Sequence, residues 1–153
     1  KGKFSWPDGR IYEGDFIDNL RHGKGKFSWP DGRIYEGDFI DNRQHGKGTM
    51  TWANGDKYEG EWKDDMSNGQ GKMTWPNGQI YEGEWKDDNM NGNGKLVEYG
   101  GGIYEGDFSN GKKEGTGKYK FVKPYASTAS FRGTRNGKRK KYCFVCHEPR
   151  RPR

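Results

Sequence analysis

Long hydrophobic runs are missing from this chain: no apolar stretch approaches the ~20 residues that a membrane-spanning helix needs. Hydrophobic residues make up 28% of the 153 positions and charged residues 33%. That balance alone would suggest a disordered chain. Cysteine is almost absent. The two present, Cys143 and Cys146, are too few for a disulfide framework. Six prolines against 26 glycines, with no three-residue period, exclude a collagen-like triple helix. An excess of one charge sign is also missing from most of the chain. Residues 1–131 carry 19 Lys/Arg and 21 Asp/Glu, a net −2, whereas residues 132–153 carry 9 Lys/Arg and only Glu148, a net +8. The overall +6 is therefore a property of the tail, and any argument about anionic partners belongs there. No signal peptide pattern is visible, and because Lys1 lies inside a repeat, residues preceding it are expected.

Aromatic residues are plentiful, with 6 Trp, 9 Tyr and 8 Phe. Burial must come largely from rings packed against glycine. Their placement is periodic. Tyr12, Tyr35, Tyr58, Tyr81 and Tyr104 recur every 23 residues, each followed by a glycine and then by Phe16, Phe39, Trp62, Trp85 or Phe108. Gly2, Gly25, Gly48, Gly71, Gly94 and Gly117 keep the same 23-residue step. A fixed period of this length marks a repeat architecture.

Each unit reads as two short strands. In the second unit, Phe27 and Trp29 alternate with Lys26 and Ser28 over residues 25–29, the period of two expected of a strand. Pro30-Asp31-Gly32 supplies turn chemistry, and residues 33–39 form the returning strand. A three-residue loop pairs Trp29 with Arg33, so Phe27 faces Tyr35, Lys26 faces Glu36 and Gly25 faces Gly37. One face then carries Phe27, Trp29, Tyr35 and Phe39 around paired glycines, where a neighbouring unit's ring can lie flat. The other carries Lys26, Ser28, Ile34, Glu36 and Asp38, with Lys3–Glu13, Lys72–Glu82 and Lys95–Glu105 as equivalent pairs. A single hairpin cannot bury these rings; stacking units does. At two strands per unit, five units predict a ribbon of roughly 50 Å.

The pattern G-x-G-x-[FM]-x-W-x-[DN]-G-x-x-Y-E-G-[DE]-[FW], running from Gly2 to Gly117, resembles the MORN repeat. The resemblance implies an all-β, elongated, single-layer twisted array of stacked β-hairpins, used for contact with proteins or lipid head groups. It also implies a setting such as junctophilin-like membrane-contact proteins, radial-spoke and cytoskeletal proteins, or plant-type phosphatidylinositol phosphate kinases. Departures appear in the fifth unit, where Glu98 stands in place of Trp75 and Gly100-Gly101-Gly102 follow. Beyond Gly117 the pattern decays, with Ser127 for Tyr, Ala129 for Gly and Phe131 retained. The expected organisation is five repeats over 1–117, a degenerate capping unit over 118–137 and a basic tail over 138–153.

Candidate chemistry is sparse. The ten carboxylates of the Tyr-Glu-Gly-Asp/Glu motifs, Glu13 and Asp15 through Glu105 and Asp107, read as a solvated face paired with lysines, since a catalytic pair does not need five copies. His22 and His45 are expected in inter-repeat loops, with Lys63 in the same region. Cys143, Cys146 and His147 match a haem-attachment string and half a zinc site, but supply at most three of the four ligands zinc needs. No catalytic residue, cofactor or firm metal site is expected. The binding surface is expected on the aromatic face: Trp6, Trp29, Trp52 and Trp75 with Tyr12, Tyr35, Tyr58, Tyr81 and Tyr104. Arg132, Arg135, Lys138, Arg139, Lys140 and Lys141 form a basic patch suited to anionic lipid. Nucleic acid is not expected, as no recognition motif accompanies the charge. The reading is a non-catalytic scaffold for protein partners, cytoplasmic, at a cytoskeletal or membrane surface. The alternatives are peripheral binding to anionic membranes and a regulatory array of a lipid-kinase-like enzyme.

Overall fold

Two kinds of turn alternate along the chain and set its architecture. The first is Trp-Pro-Asp-Gly-Arg and its variants. In the second unit the Trp29 N–H donates to Arg33 O at 2.9 Å and the Gly32 N–H donates to Trp29 O at 3.1 Å. Gly32 takes a φ of +93°, a left-handed conformation that glycine reaches at no steric cost. The second is a two-residue turn with positive φ at both positions: Asp18 and Asn19 at 50° and 62°, then Asp41-Asn42, Asp64-Asp65, Asp87-Asp88 and Asn110-Gly111. This is the type I′ geometry that matches the twist of antiparallel strands, and Asp and Asn are the non-glycine residues best able to adopt it.

The structure, a computed structural model, describes residues 1–121 and the short strands Thr134–Arg135 and Lys138–Arg139. The strands are β1 (Gly2–Ser5), β2 (Ile11–Ile17), β3 (Leu20–Ser28), β4 (Ile34–Ile40), β5 (Arg43–Thr51) and β6 (Lys57–Lys63). They continue as β7 (Met66–Thr74), β8 (Ile80–Lys86), β9 (Asn89–Val97), β10 (Gly102–Ser109) and β11 (Lys112–Phe121). These eleven form one open sheet in chain order, each paired antiparallel with its sequence neighbours. The two short strands, β12 and β13, pair with each other in a separate sheet. The all-β, single-layer hairpin array expected from the sequence is the architecture seen.

The register is as expected, with Phe27 opposite Tyr35, Lys26 opposite Glu36 and Gly25 opposite Gly37. It extends into a glycine row that crosses every strand of the large sheet. Gly2 pairs with Gly14, Gly14 with Gly25, Gly25 with Gly37, and so on to Gly106 with Gly117. The row is a trough without side chains, and the preceding unit's tyrosine lies in it. A Cβ on Gly25 would stand 2.4 Å from the Tyr12 ring, and one on Gly48 2.3 Å from the Tyr35 hydroxyl. Tyr12, Tyr35, Tyr58 and Tyr81 then each meet two rings edge-on. Tyr35 lies 5.1 Å from Phe39 and 5.3 Å from Trp62, Tyr58 lies 5.1 Å from Trp62 and 5.1 Å from Trp85, all near perpendicular. Such pairs contribute roughly 0.5–1.5 kcal/mol each beyond area burial. The zipper links every unit to the next.

Three expectations need correction. His22 and His45 lie inside β3 and β5, and Lys63 ends β6, because the two-residue turns leave no inter-repeat loop to hold them. From the second unit on, the first strand of each unit starts earlier than the alternating pattern suggests, at Leu20 rather than Gly25 in the second unit. The cross-strand lysine–glutamate pairs hold their register, but among the four expected only Lys95 and Glu105 form an ion pair, at 3.5 Å. Long exposed side chains gain little from holding one geometry. β11 runs through residue 117 to Phe121; the rest of the expected capping unit, apart from β12 and part of the β12–β13 pair, lies outside the described residues.

Candidate functional site: an aromatic groove between two rows of turns

The alternation of the strands puts all the large rings on one face, and the two rows of turns bound that face on either side. Between them runs a groove of about 590 Å³ crossing the strands of the second to fourth units. Phe39, Trp62 and Trp85 with Met50 and Met73 form its floor. Trp29, at the Trp-Pro-Asp-Gly turn, and Trp52, at the equivalent Trp-Ala-Asn-Gly turn, form one wall, and Asn42, Asp65 and Asp88, at the type I′ turns, form the other.

Two classes of tryptophan meet here. Trp62 and Trp85 lie in the floor, and their indole N–H groups donate to Gly48 O and Gly71 O, both at 3.1 Å. They are structural. Trp29 and Trp52 are half-buried, and among the described residues their indole N–H groups have no acceptor. A ring half open to solvent with an unused donor is suited to a partner.

The opposite wall is built by a clip that repeats once per unit. The Asn42 N–H donates to Arg21 O at 3.0 Å, and the Arg21 N–H donates to Asn42 Oδ1 at 2.9 Å. Asp65 makes the same exchange with Gln44, and Asp88 with Ser67, whose hydroxyl also donates to Asp88 Oδ1 at 3.1 Å. Arg21 lies across the rings, with its guanidinium carbon 4.8 Å from the centre of Phe27 and 5.5 Å from that of Phe39. Burial is the main influence on this guanidinium and pulls its pKa below the usual arginine value, with Asp65 acting in the opposite sense.

Charge divides the groove lengthwise. Arg10, Arg21 and Arg33 line its first part, and Asp65 and Asp88 its last. Arg10 and Arg33 are paired with Asp8 and Asp31, each at 2.8 Å. Among the described residues Arg21, Asp65 and Asp88 belong to no ion pair. Past the groove, Glu98 in the tryptophan column meets Lys113 and the Tyr119 hydroxyl, contacts that hold its carboxyl below the usual range. The aromatic wall gives way there to a polar cluster.

Several expected features are placed differently. Tyr12, Tyr35, Tyr58 and Tyr81 are at most 1% exposed and Tyr104 is 9% exposed, so they form the packed base of the array, and of the five only Tyr58 borders the groove. Their hydroxyls turn inward, Tyr12 donating to Asp15 O at 2.8 Å and Tyr58 to Glu61 O at 2.9 Å. Trp6, packed on Phe4 and Phe27, and Trp75, packed with the Tyr81 cluster, continue the tryptophan column on either side of the groove. The second acidic residue of each motif is more than a solvated charge. A bulge follows the motif's glycine, and the carboxylates of Asp15, Asp38, Glu61, Glu84 and Asp107 accept the backbone N–H groups it frees, as Lys47 N–H to Asp38 Oδ2 at 3.0 Å and Asn93 N–H to Glu84 Oε2 at 3.0 Å.

His22 and His45 sit near Asp41 and Asp64, at 3.7 and 3.9 Å, and His22 Nδ1 is buried without a hydrogen-bond partner among the described residues. No group of three or more metal-ligating side chains occurs among the described residues. Cys143, Cys146 and His147 lie outside the described residues. So does the basic patch, apart from the strand assignments of Arg135, Lys138 and Arg139. The sequence reading missed Arg21, Asn42, Asp65 and Asp88. For Arg21 a signal was present: positions 21, 44, 67, 90 and 113 read Arg, Gln, Ser, Met and Lys, varying where the framework is constant.

The family described as MORN repeat matches the chain over residues 1–9, 12–32, 35–57, 58–80, 81–97 and 104–123. No curated protein matches the chain. Among solved structures 33 chains match. One is the TCP domain of SAS-4 (dCPAP) from Drosophila melanogaster, in complex with a proline-rich motif of Ana2 (dSTIL). It aligns with a TM-score of 0.50 at 13% identity over 78% of this chain. The present chain spans 66% of that one, just under two thirds of its length, and at this identity the likeness is one of fold alone.

Proposed function

Because this chain belongs to the MORN-repeat family, a repeat-based interaction module, we propose that it is a non-catalytic scaffold that docks an extended segment of a protein partner in the aromatic groove. The observation that carries this reading is the pair of half-buried tryptophans, Trp29 and Trp52, whose indole N–H groups find no acceptor among the described residues while those of Trp62 and Trp85 are committed to the fold. Aromatic anchors with a polar end dominate binding energy at interfaces. The neighbouring fold in complex with a peptide motif supports the same kind of partner.

The test is selection of a displayed random-peptide library against the chain. Selected peptides are expected to bind wild type and to lose at least about tenfold in affinity, roughly 1.4 kcal/mol, against Trp29→Ala/Trp52→Ala. Circular dichroism checks that the variant folds. Peptides that bind the variant as well as wild type would place the docking surface elsewhere.

A second reading has its own observation, the contrast between −2 on residues 1–131 and +8 on residues 132–153. We propose that the tail holds the scaffold at an anionic membrane surface of the cytoplasm. Each basic residue near such a surface contributes on the order of 1 kcal/mol, so sedimentation with phosphatidylserine vesicles is expected at low salt. Salt at ~0.15 M should weaken it through screening over ~8 Å. Equal sedimentation of a chain ending at residue 131 would locate lipid binding in the repeats.

A further inference from the structure

We infer that the occupant of the groove is a proline-rich segment in the left-handed polyproline II conformation, lying across the strands, with an acidic side chain over the Arg21 end and a basic side chain over the Asp65–Asp88 end. This rests on the groove-docking reading above and names the chemistry of its partner.

Spacing is the first argument. Trp29 and Trp52 occupy the same position in successive units, two strands apart. Strands lie ~4.8 Å apart, so the wall presents a tryptophan about every 9.6 Å. A polyproline II helix has three residues per turn and a rise of 3.1 Å, so it presents the same side about every 9.3 Å. An α-helix repeats every 5.4 Å and offers no such match. A β-strand repeats one side about every 6.7 Å and meets the wall only at every third step.

Hydrogen bonding is the second. Polyproline II has no internal hydrogen bonds, so its carbonyls point outward and need donors. Proline supplies none itself. A groove for such a chain must therefore offer donors and apolar rings together, and the indole N–H groups of Trp29 and Trp52, without an acceptor among the described residues, stand on the wall while Phe39, Trp62 and Trp85 form the floor. A peptide with ordinary N–H groups would call for a row of acceptors. Asp65 and Asp88 are the carboxylates lining the groove, and each accepts the backbone N–H of Gln44 or Ser67 through Oδ1, which leaves Oδ2 for one charged side chain and provides no row of acceptors.

Charge is the third. Arg21 lies at one end without an ion-pair partner among the described residues, and Asp65 and Asp88 lie at the other end likewise. Asp65 stands one unit beyond Asn42, the clip partner of Arg21. The complementary segment carries its opposite charges one or two polyproline turns apart, that is about three or six residues.

The probe is a synthetic peptide of about a dozen residues built on Pro-Pro-X triplets, with one glutamate and, six residues away, one lysine. It is measured by calorimetry against the full chain, beside a peptide with every proline replaced by alanine. The proline peptide is expected to bind at least about tenfold more tightly than the alanine peptide. Trp29→Phe/Trp52→Phe keeps the rings and removes both N–H groups, and should weaken binding about tenfold. Asp65→Asn/Asp88→Asn keeps the clip geometry that Asn42 already shows, and should weaken the lysine-bearing peptide but leave a lysine-free one unchanged. Equal binding of the alanine peptide, or none of the proline peptide, overturns the inference. Library-selected peptides that depend on Trp29 and Trp52 but show no proline at intervals of three also overturn it while leaving groove docking intact. Loss of that dependence removes the docking reading itself.

Discussion

Gly60→Val is expected to destabilise the array by about 3 kcal/mol or more, at the upper end of overpacking costs, whereas Lys63→Ala should cost under about 0.5 kcal/mol. Both residues lie in β6, three positions apart. Gly60 sits in the glycine row, opposite Gly48 on one side and Gly71 on the other. A Cβ there would stand 2.4 Å from Gly71 Cα and 2.5 Å from Gln70 O. Those atoms are backbone and cannot rotate away, so β6 and β7 must separate. Gly25, Gly48 and Gly71 differ, because a Cβ on any of them meets a tyrosine ring. Lys63 is exposed and ends its strand. The overpacking should appear as a melting temperature lowered by roughly 10 °C in Gly60→Val, given ~2–4 °C per kcal/mol for a domain of this size. Hydrogen exchange should show the weakest protection in β6 and β7, since each unit contacts only its neighbours. Equal melting temperatures for the two variants would remove the close-packed glycine row from the account.

The reach of the sequence follows from the same geometry. Register was legible because the Trp-Pro-Asp-Gly turn fixes which residues face each other, and the glycine period repeats that register unit after unit. Face was legible because alternation separates Phe27 and Tyr35 from Lys26 and Glu36. Depth was not, since alternation says which side a ring takes but not what covers it. Tyr35 is fully buried because Phe39 and Trp62 stand edge-on against it, and Trp62 belongs to the next unit. The Asp-Asn and Asp-Asp turns were hard to recognise because type I′ turns usually carry glycine at the second position. That obscured the early strand starts, the Asn42–Arg21 clip and thus one wall of the groove. The bulge was hidden for a related reason. Asp38 is spaced as any outward strand residue, and only the freed Lys47 N–H in the next strand of the sheet gives its carboxylate a structural role.

Alkaline solution is expected to unfold the array cooperatively between about pH 10 and pH 12, because the buried tyrosines resist ionisation. Burial raises the hydroxyls of Tyr12, Tyr35, Tyr58 and Tyr81, and the neighbouring carboxylate of Asp15, Asp38, Glu61 or Glu84 adds to the rise in each; Tyr81 is pushed up to about 12. An unfolded tyrosine loses its proton near pH ~10. The folded hydroxyl keeps its proton to higher pH, so as pH rises the unfolded chain releases protons first. Stability is then full below about pH 10 and is lost as pH climbs through the folded values. For Tyr81 the rise from ~10 to about 12 corresponds to roughly 2–3 kcal/mol lost over that interval. Tyrosinate absorbance and the far-ultraviolet dichroism of the sheet should therefore change together in one sharp step for these residues. Tyr81→Phe separates this cause from the titration of surface lysines, which both proteins share. The variant loses the hydroxyl's bond to Glu84 O at 2.8 Å, worth about 1 kcal/mol at neutral pH. It has no proton to give up at that site, so its deficit should shrink above about pH 11 and its loss of stability with pH should be shallower. If wild type and Tyr81→Phe lose stability in parallel across that range, or if all tyrosines ionise while the sheet signal stays intact, the tyrosine row is not what ties this fold to pH.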